Sequence, residues 1–353
     1  MGQDWRYQAL DGMRGLCALL VVIFHCDTAL HSGHLLNRAW ISVDVFFVLS
    51  GFVISHAYEA KLSAGLRFGQ FFAARAKRLV PTDCLGTLTV AASVLVLYAA
   101  GAMQQFPGFG LPQLLIGTLS ALFLIPIGWT PAASVFAHLR QHFPINPPLW
   151  SLQGEWIVNL VYAALLFRLK SRYLLLFYAA AAAYPLYRIF LAGGWDSAEA
   201  GVARAFCGFI AGIFVYRLHK AGHLKALPQI RPEIVYAAWF FVCAVPRTGP
   251  SPLFESIAIL CVAPLAVAIL VRSERPVMRG FLWAGRLSYP LYASHFAIVN
   301  LSLLWLQGSG RHSVLFAIPM LAASLLLAAG INTAAKAISL RRAPQASLEP
   351  TTL

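Results

Sequence analysis

Long apolar runs separated by short polar gaps organise the whole chain. Eleven such runs lie near 9–30, 40–58, 84–102, 113–127, 149–168, 173–192, 201–218, 233–246, 254–272, 287–307 and 313–336. Most approach the ~20 residues a helix needs to cross a hydrocarbon core. The run at 113–127 is short and bounded by Gly and Pro at 107–112 and by Pro126, Pro131 and Pro144, so it is expected to lie at the interface or re-enter. The pattern predicts an all-α, polytopic membrane helix bundle of about ten transmembrane helices with one extra short membrane-embedded or interfacial segment. That bundle is expected to occupy residues 1–340, with a short cytoplasmic tail at 341–353 and no appended soluble domain.

Charge placement sets the orientation. With 113–127 held on the outer face, the basic gaps all fall on one side: Lys61, Arg67, Arg75, Lys77 and Arg78; Lys170 and Arg172; Arg217, Lys220, Lys225 and Arg231; Arg272, Arg275, Arg279 and Arg286; then Arg341 and Arg342. The opposite gaps are poor in Lys and Arg, and 193–200 carries Asp196 and Glu199. The positive-inside rule then places both termini in the cytoplasm. The first run holds Asp11, Arg14 and His25 and leads straight into further spans, which is not a signal-peptide pattern.

Composition changes the picture by exclusion. A chain of 353 residues that is 59% hydrophobic and 11% charged, with mean hydropathy +0.70, is too apolar for a soluble domain of this size. The net charge of +14 is explained by the cytoplasmic gaps, so no nucleic-acid partner is expected. The six cysteines have no metal-ligand or disulfide spacing and no metal is expected; among them only Cys26, beside His25, is a candidate nucleophile. No Walker loop or GxGxxG fingerprint is present.

Polar residues inside the apolar runs carry the candidate chemistry, because ionisable groups at membrane depth are costly and usually serve a site or pathway. Arg14 and His25 stand eleven residues apart, about three helical turns, so they share one face roughly 16 Å apart along the axis. The run WISVDVFFVLSGFVISHAY (40–58) sets Asp44 in its outer part, where it needs a partner; Ser50 and Gly51 serve either a site or close helix packing. In FFAARAKRLVP (71–81), read as a cytoplasmic gap ending at Pro81, Arg75 and Arg78 are spaced i, i+3, which suits a multiply charged phosphate or, alternatively, anionic lipid. NPPLWSLQGEW (146–156) offers Asn146, Trp150 and Trp156 as cap or aromatic belt and Glu155 as an acid at depth or at a wet interface. Near the end, GRLSYPLYASH (285–295) supplies Ser288, Tyr289 and His295 at the start of the ninth span, where His295 is either a packing residue or a participant.

These residues sort into two layers, with Arg14, Arg75 and Arg78 on the cytoplasmic side and His25, Asp44 and Glu155 toward the outer side. Cations in a cleft suit a phosphate-bearing donor, and a histidine with a carboxylate suits activation of a hydroxyl. The segments LDGMRGLCALLVVIFH (10–25), VDVFFVLSGFVIS (43–55), RAKRLVP (75–81), NPPLWSLQGE (146–155), RAFCGFIAG (204–212) and GRLSYPLYASH (285–295) together resemble the acyltransferase 3 family of bacterial integral-membrane O-acyltransferases.

The resemblance implies a ten-helix domain in the bacterial inner membrane, with Arg14 and His25 as an essential pair and Arg75 and Arg78 as the Arg-x-x-Arg element on the acyl-CoA side. It makes Asp44, Ser50, Glu155 and Tyr289 signature positions. It implies acyl-CoA, acetyl-CoA foremost, as donor, and as acceptor a hydroxyl of a carbohydrate such as a surface polysaccharide or lipid-linked glycan. Two departures stand out: the last run ends NTAAKAISLRR (332–342) where many relatives carry Glu-Pro, and no periplasmic hydrolase-like domain of the kind some relatives carry is expected. The expected mechanism has His25, oriented by Asp44 or Glu155, as general base, with an acyl-enzyme on Cys26 or a serine as a variant. The rival classes are a transporter or flippase for a glycan or glycolipid, using the same buried charges as a path, and a membrane sensor without chemistry.

Overall fold

Each apolar run becomes helix, because a backbone at membrane depth must satisfy its own hydrogen bonds. The computed structural model describes residues 5–30, 36–102, 108–136, 142–192, 197–246, 251–306 and 314–341. Residues 193–196 of the predicted gap 193–200, and the residues from 342 onward and hence nearly all of the expected tail, lie outside the described residues.

The main helices are α1 (Trp5–Ala29), α2 (Ser42–Ser63), α3 (Phe68–Ala99), α4 (Leu111–Leu122), α5 (Leu149–Ala164), α6 (Ser171–Ala192), α7 (Ser197–Lys220) and α8 (Pro232–Ala244). Then follow α9, in which Pro252–Ile257 and Ala263–Arg272 join through the π turn Ala258–Val262, α10 (Arg279–Ser294), α11 (Phe296–Leu306) and α12 (Ala317–Arg341). No strand occurs among the described residues. Among the described residues six helices are long and apolar enough to cross a membrane: Gln8–Ala29, Ala39–Ser63, Phe68–Ala99, Gly201–Lys220, Leu253–Arg272 and Ala317–Ile338. The chain is thus an all-helical, multi-pass bundle by length and composition. The short run expected not to cross is the twelve-residue α4.

Three expectations are corrected. The basic segment 71–81 is not a gap: α3 begins at Phe68 and carries it as helix, with Arg75 buried. Nor does Pro81 end that helix, which runs on to Ala99. Proline removes one donor and is tolerated inside membrane helices where neighbours re-satisfy the backbone. The penultimate run is also broken, for α10 stops at Ser294 and α11 restarts at Phe296, leaving His295 at the junction rather than at the start of a span.

Close crossings at glycine hold the bundle around the site. The most extensive packing is α2 on α7, where a Cβ on Gly51 or Gly212 would collide with the facing backbone carbonyls of Phe209 and Val48. Small residues let membrane helices approach to backbone contact. The next is α1 on α10, where Gly15 meets the backbone of Ala284 and Gly285 and Gly285 meets Asp11.

Candidate active site

A cavity of about 810 Å³ opens between α1, α2, α3, α5, α10 and α12. Its lining includes six cations, Arg14, Arg75, Lys77, Arg78, Arg286 and Lys336, against the acids Asp11 and Glu155. The direction of the helices sorts these residues. Arg14 belongs to the first half of α1, Arg286 to the first half of α10 and Lys336 to the last turns of α12, so the cations gather at one end. Val43 and Phe46 in the first turns of α2 and Tyr292 in the last turn of α10 mark the opposite, apolar end.

All three predicted cations therefore line one cavity, although their settings differ. Arg78 is exposed, Arg14 is half-buried with Asp11 at 3.6 Å, and Arg75 is buried with its Nη2 donating to Glu155 Oε1 at 3.3 Å. Ser50 Oγ donates to the same oxygen at 3.2 Å. The predicted separation into two layers is thus closed by a direct ion pair, because the helical start of α3 carries Arg75 inward to meet Glu155. Ser50 takes part in this polar cluster, while its neighbour Gly51 serves helix packing. Tyr289 lines the cavity and donates to Asp83 Oδ1 at 2.6 Å; Ser288 lines it too and donates to Gly285 O of its own helix at 2.8 Å.

Asp44 does not orient His25. Both its oxygens accept from Arg204 of α7, Oδ1 from Nε at 3.1 Å and Oδ2 from Nη2 at 2.7 Å, and neither side chain is exposed. The Arg204 guanidinium sits between Trp40 and Trp150, 5.0 and 4.8 Å from their centroids. Trp150 is thus a packing partner of a buried cation. A buried carboxylate is stable only with a matched, hydrogen-bonded counter-charge, and a bidentate guanidinium supplies one. Arg204 went unassigned at the sequence level; the signal was its place one helix turn before the Gly208/Gly212 contact face, on the helix that packs on α2.

Glu155 does not touch His25 either; the partner of His25 is His295. His25 Nδ1 lies 3.0 Å from Val21 O and 3.1 Å from His295 Nε2. The Nδ1 of His295 lies 3.1 Å from Leu291 O and 3.0 Å from Tyr292 O. His295 keeps a helical backbone, its own N–H donating to Leu291 O at 3.0 Å, and its ring folds back onto the preceding turn to meet Leu291 O and Tyr292 O. Buried Asn146 donates from Nδ2 to Ala293 O of the same turn at 3.1 Å. Asn146 is therefore a partner of the last turn of α10. His295 is fully buried and His25 half-buried between Phe24 and Phe296, which meet its ring edge-on at 5.3 and 5.5 Å.

Neither histidine lines the cavity itself; the pair lies behind its apolar end. Tyr292 and Phe46, at the apolar end, are 5.7 Å apart by centroid, and Tyr292 is 6.0 Å from the His295 ring. Cys26 is fully buried in the apolar cluster that holds Val22, Leu30, Val299 and Met320, and it does not line the cavity. No group of histidine, cysteine and acidic side chains suited to a metal ion is found among the described residues. The arrangement offers a cationic cleft for an anion at one end and a hydrogen-bonded imidazole near the other.

Residues 7–333 match a family model described as an acyltransferase domain. Protein 2 in the picA locus of Rhizobium radiobacter is 34% identical over 167 residues, which cover 45% of this chain and 81% of that protein. The O-acetyltransferase OatA of Staphylococcus aureus is 27% identical over 175 residues, 46% of this chain but 26% of that longer protein. No solved structure matches.

Proposed function

The chain belongs to the acyltransferase 3 domain family and is an O-acyltransferase enzyme, and from that premise we propose that it moves an acyl group, acetyl foremost, from acyl-CoA to a carbohydrate hydroxyl. The observation that carries this reading is the single cavity with six cations at one end and its apolar end beside the His25–His295 pair. A ligand with phosphates at one end and a thioester at the tip of an extended arm is matched by that polarity. Arg14, Arg75 and Arg78, joined by Lys77, Arg286 and Lys336, bind the phosphates. Ser50, Glu155, Ser288 and Tyr289 line the path of the arm. The carbohydrate acceptor rests on the family resemblance, and the name of the OatA relative supports transfer of acetyl to oxygen.

The chemistry assigned to the chain is proton transfer. An unprotonated nitrogen of His25 takes the proton of the acceptor hydroxyl as its oxygen bonds to the thioester carbonyl carbon. The carbon–sulfur bond then breaks, and His25 returns the proton to the departing sulfur, leaving an ester and free CoA. Asp44 has no part in this step. The same reading keeps ten spans, both termini in the cytoplasm and the cation-rich mouth facing cytoplasmic acyl-CoA, in a bacterial inner membrane, because every basic gap then lies on one side.

The test is transfer of label from radiolabelled acetyl-CoA by the purified protein, against His25→Ala and Arg14→Ala. Both variants are expected to remain in the membrane and lose transfer, His25→Ala by about 100- to 10,000-fold. Full activity in His25→Ala would sink the assignment.

A further inference from the structure

The contacts of the histidine pair decide which nitrogens carry protons. His295 Nδ1 faces two backbone carbonyl oxygens, Leu291 O and Tyr292 O, and a carbonyl only accepts. That nitrogen therefore carries a hydrogen, and in neutral His295 the Nε2 is a lone pair. His25 Nδ1 lies between that lone pair, at 3.1 Å, and Val21 O, at 3.0 Å. Two acceptors around one nitrogen require a hydrogen there as well. Neutral His25 is then left with its lone pair on Nε2, which no hydrogen bond reaches among the described residues. The opposite assignment, with a cationic His295 donating from Nε2, turns the His25 Nδ1 lone pair against the lone pairs of Val21 O.

We propose that His295 is a positioning residue for acyl transfer: its Nε2 is the second acceptor for His25 Nδ1–H, the role a carboxylate takes in other acid–base pairs, and it fixes His25 with Nε2 as the base. This rests on the general-base reading of His25. When His25 Nε2 takes the hydroxyl proton, both ring nitrogens of His25 carry hydrogens, and the Nδ1–H remains bound to the His295 lone pair; when Nε2 gives that proton to the leaving sulfur, the pair returns to its starting state. The register that makes the pair is built into the helices. Gly15 and Gly285 meet where α1 crosses α10, and His25 and His295 each follow ten residues later.

The test joins nitrogen NMR of the histidine-labelled protein in lipid with kinetics of His295→Leu and His295→Gln. The wild-type His25 signals, assigned by their loss in His25→Ala, are expected to show a protonated Nδ1 and an unprotonated Nε2; a protonated Nε2 would overturn the proposal. In His295→Leu, kcat is expected to fall on the order of 10- to 100-fold with KM for acetyl-CoA within about twofold. His295→Gln, whose amide oxygen can stand where Nε2 stood, should recover most of that loss. Unchanged kcat in His295→Leu, or equal kcat in Leu and Gln variants, refutes the positioning role. Those outcomes leave His25 as base, whereas an active His25→Ala removes the underlying reading itself.

Discussion

Arg75 and Arg78 share a helix face and a cavity but not an environment. Arg78 is exposed, so it attracts an anion without holding any helix in place, and Arg78→Ala should raise KM for acyl-CoA about tenfold with kcat nearly unchanged, as expected for loss of one charge-assisted contact. Steady-state kinetics at fixed acceptor would check this, and an unchanged KM would contradict it. Arg75 is buried against Glu155, so Glu155→Gln weakens the partner of a cation that stays buried; a loss of thermal stability is expected together with a higher KM, measured by melting in detergent beside the kinetics. At this scale the sequence disclosed residue types but not partners. His25, Arg14, Arg75 and Arg78 stand out as ionisable groups in apolar runs. The His25–His295 contact is hidden because 270 positions separate the two. The equal ten-residue spacing from Gly15 to His25 and from Gly285 to His295 was the available clue, and it acquires meaning only once α1 and α10 are known to cross at those glycines.

The α2–α7 crossing is where the role of Asp44 changes. Two helices that touch through Gly51 and Gly212 are also pinned by the Asp44–Arg204 pair, fully buried beside Trp40 and Trp150. Removing one member strands a charge, so Asp44→Leu and Arg204→Leu should each cost about 3–5 kcal/mol, whereas the double substitution should recover most of that stability. Thermal melts would measure the cycle. Transfer activity restored in the double variant would show that Asp44 acts through the fold, and activity lost in a stable double variant would return it to the chemistry. Helix existence was legible at this scale, because each apolar run is a helix that cannot pair its backbone otherwise. Helix ends were less so: the basic start of α3 reads as a loop by charge, yet Arg75 is accommodated inside by Glu155, and the break at His295 carries no glycine to announce it. There His295 N still donates to Leu291 O, and the side chains of His295 and of Asn146, from the segment before α5, add contacts to the carbonyls of that turn.

Across the whole molecule, the architecture sets a polar axis, with cations at one end of the cavity and a histidine pair beside the other. Among the described residues six helices meet the length and apolarity for a span; the topology we propose has ten, with both termini on one side. Cysteine labelling at the basic gaps 59–67 and 272–279 should place both on the cytoplasmic face, and outward labelling at either would contradict the topology. The proposed orientation rests on charge asymmetry in the sequence, while the cavity was not legible there, since it is formed by residues from helices distant in sequence. The most direct measurement of the proposed activity is acetyl transfer by purified protein from labelled acetyl-CoA to a glycan acceptor, wild type against His25→Ala at equal amounts of folded protein. Labelled glycan and released CoA are expected with the wild type, and a loss of at least about 100-fold in the variant. Transfer by His25→Ala at the wild-type rate would contradict the role of His25 as the base.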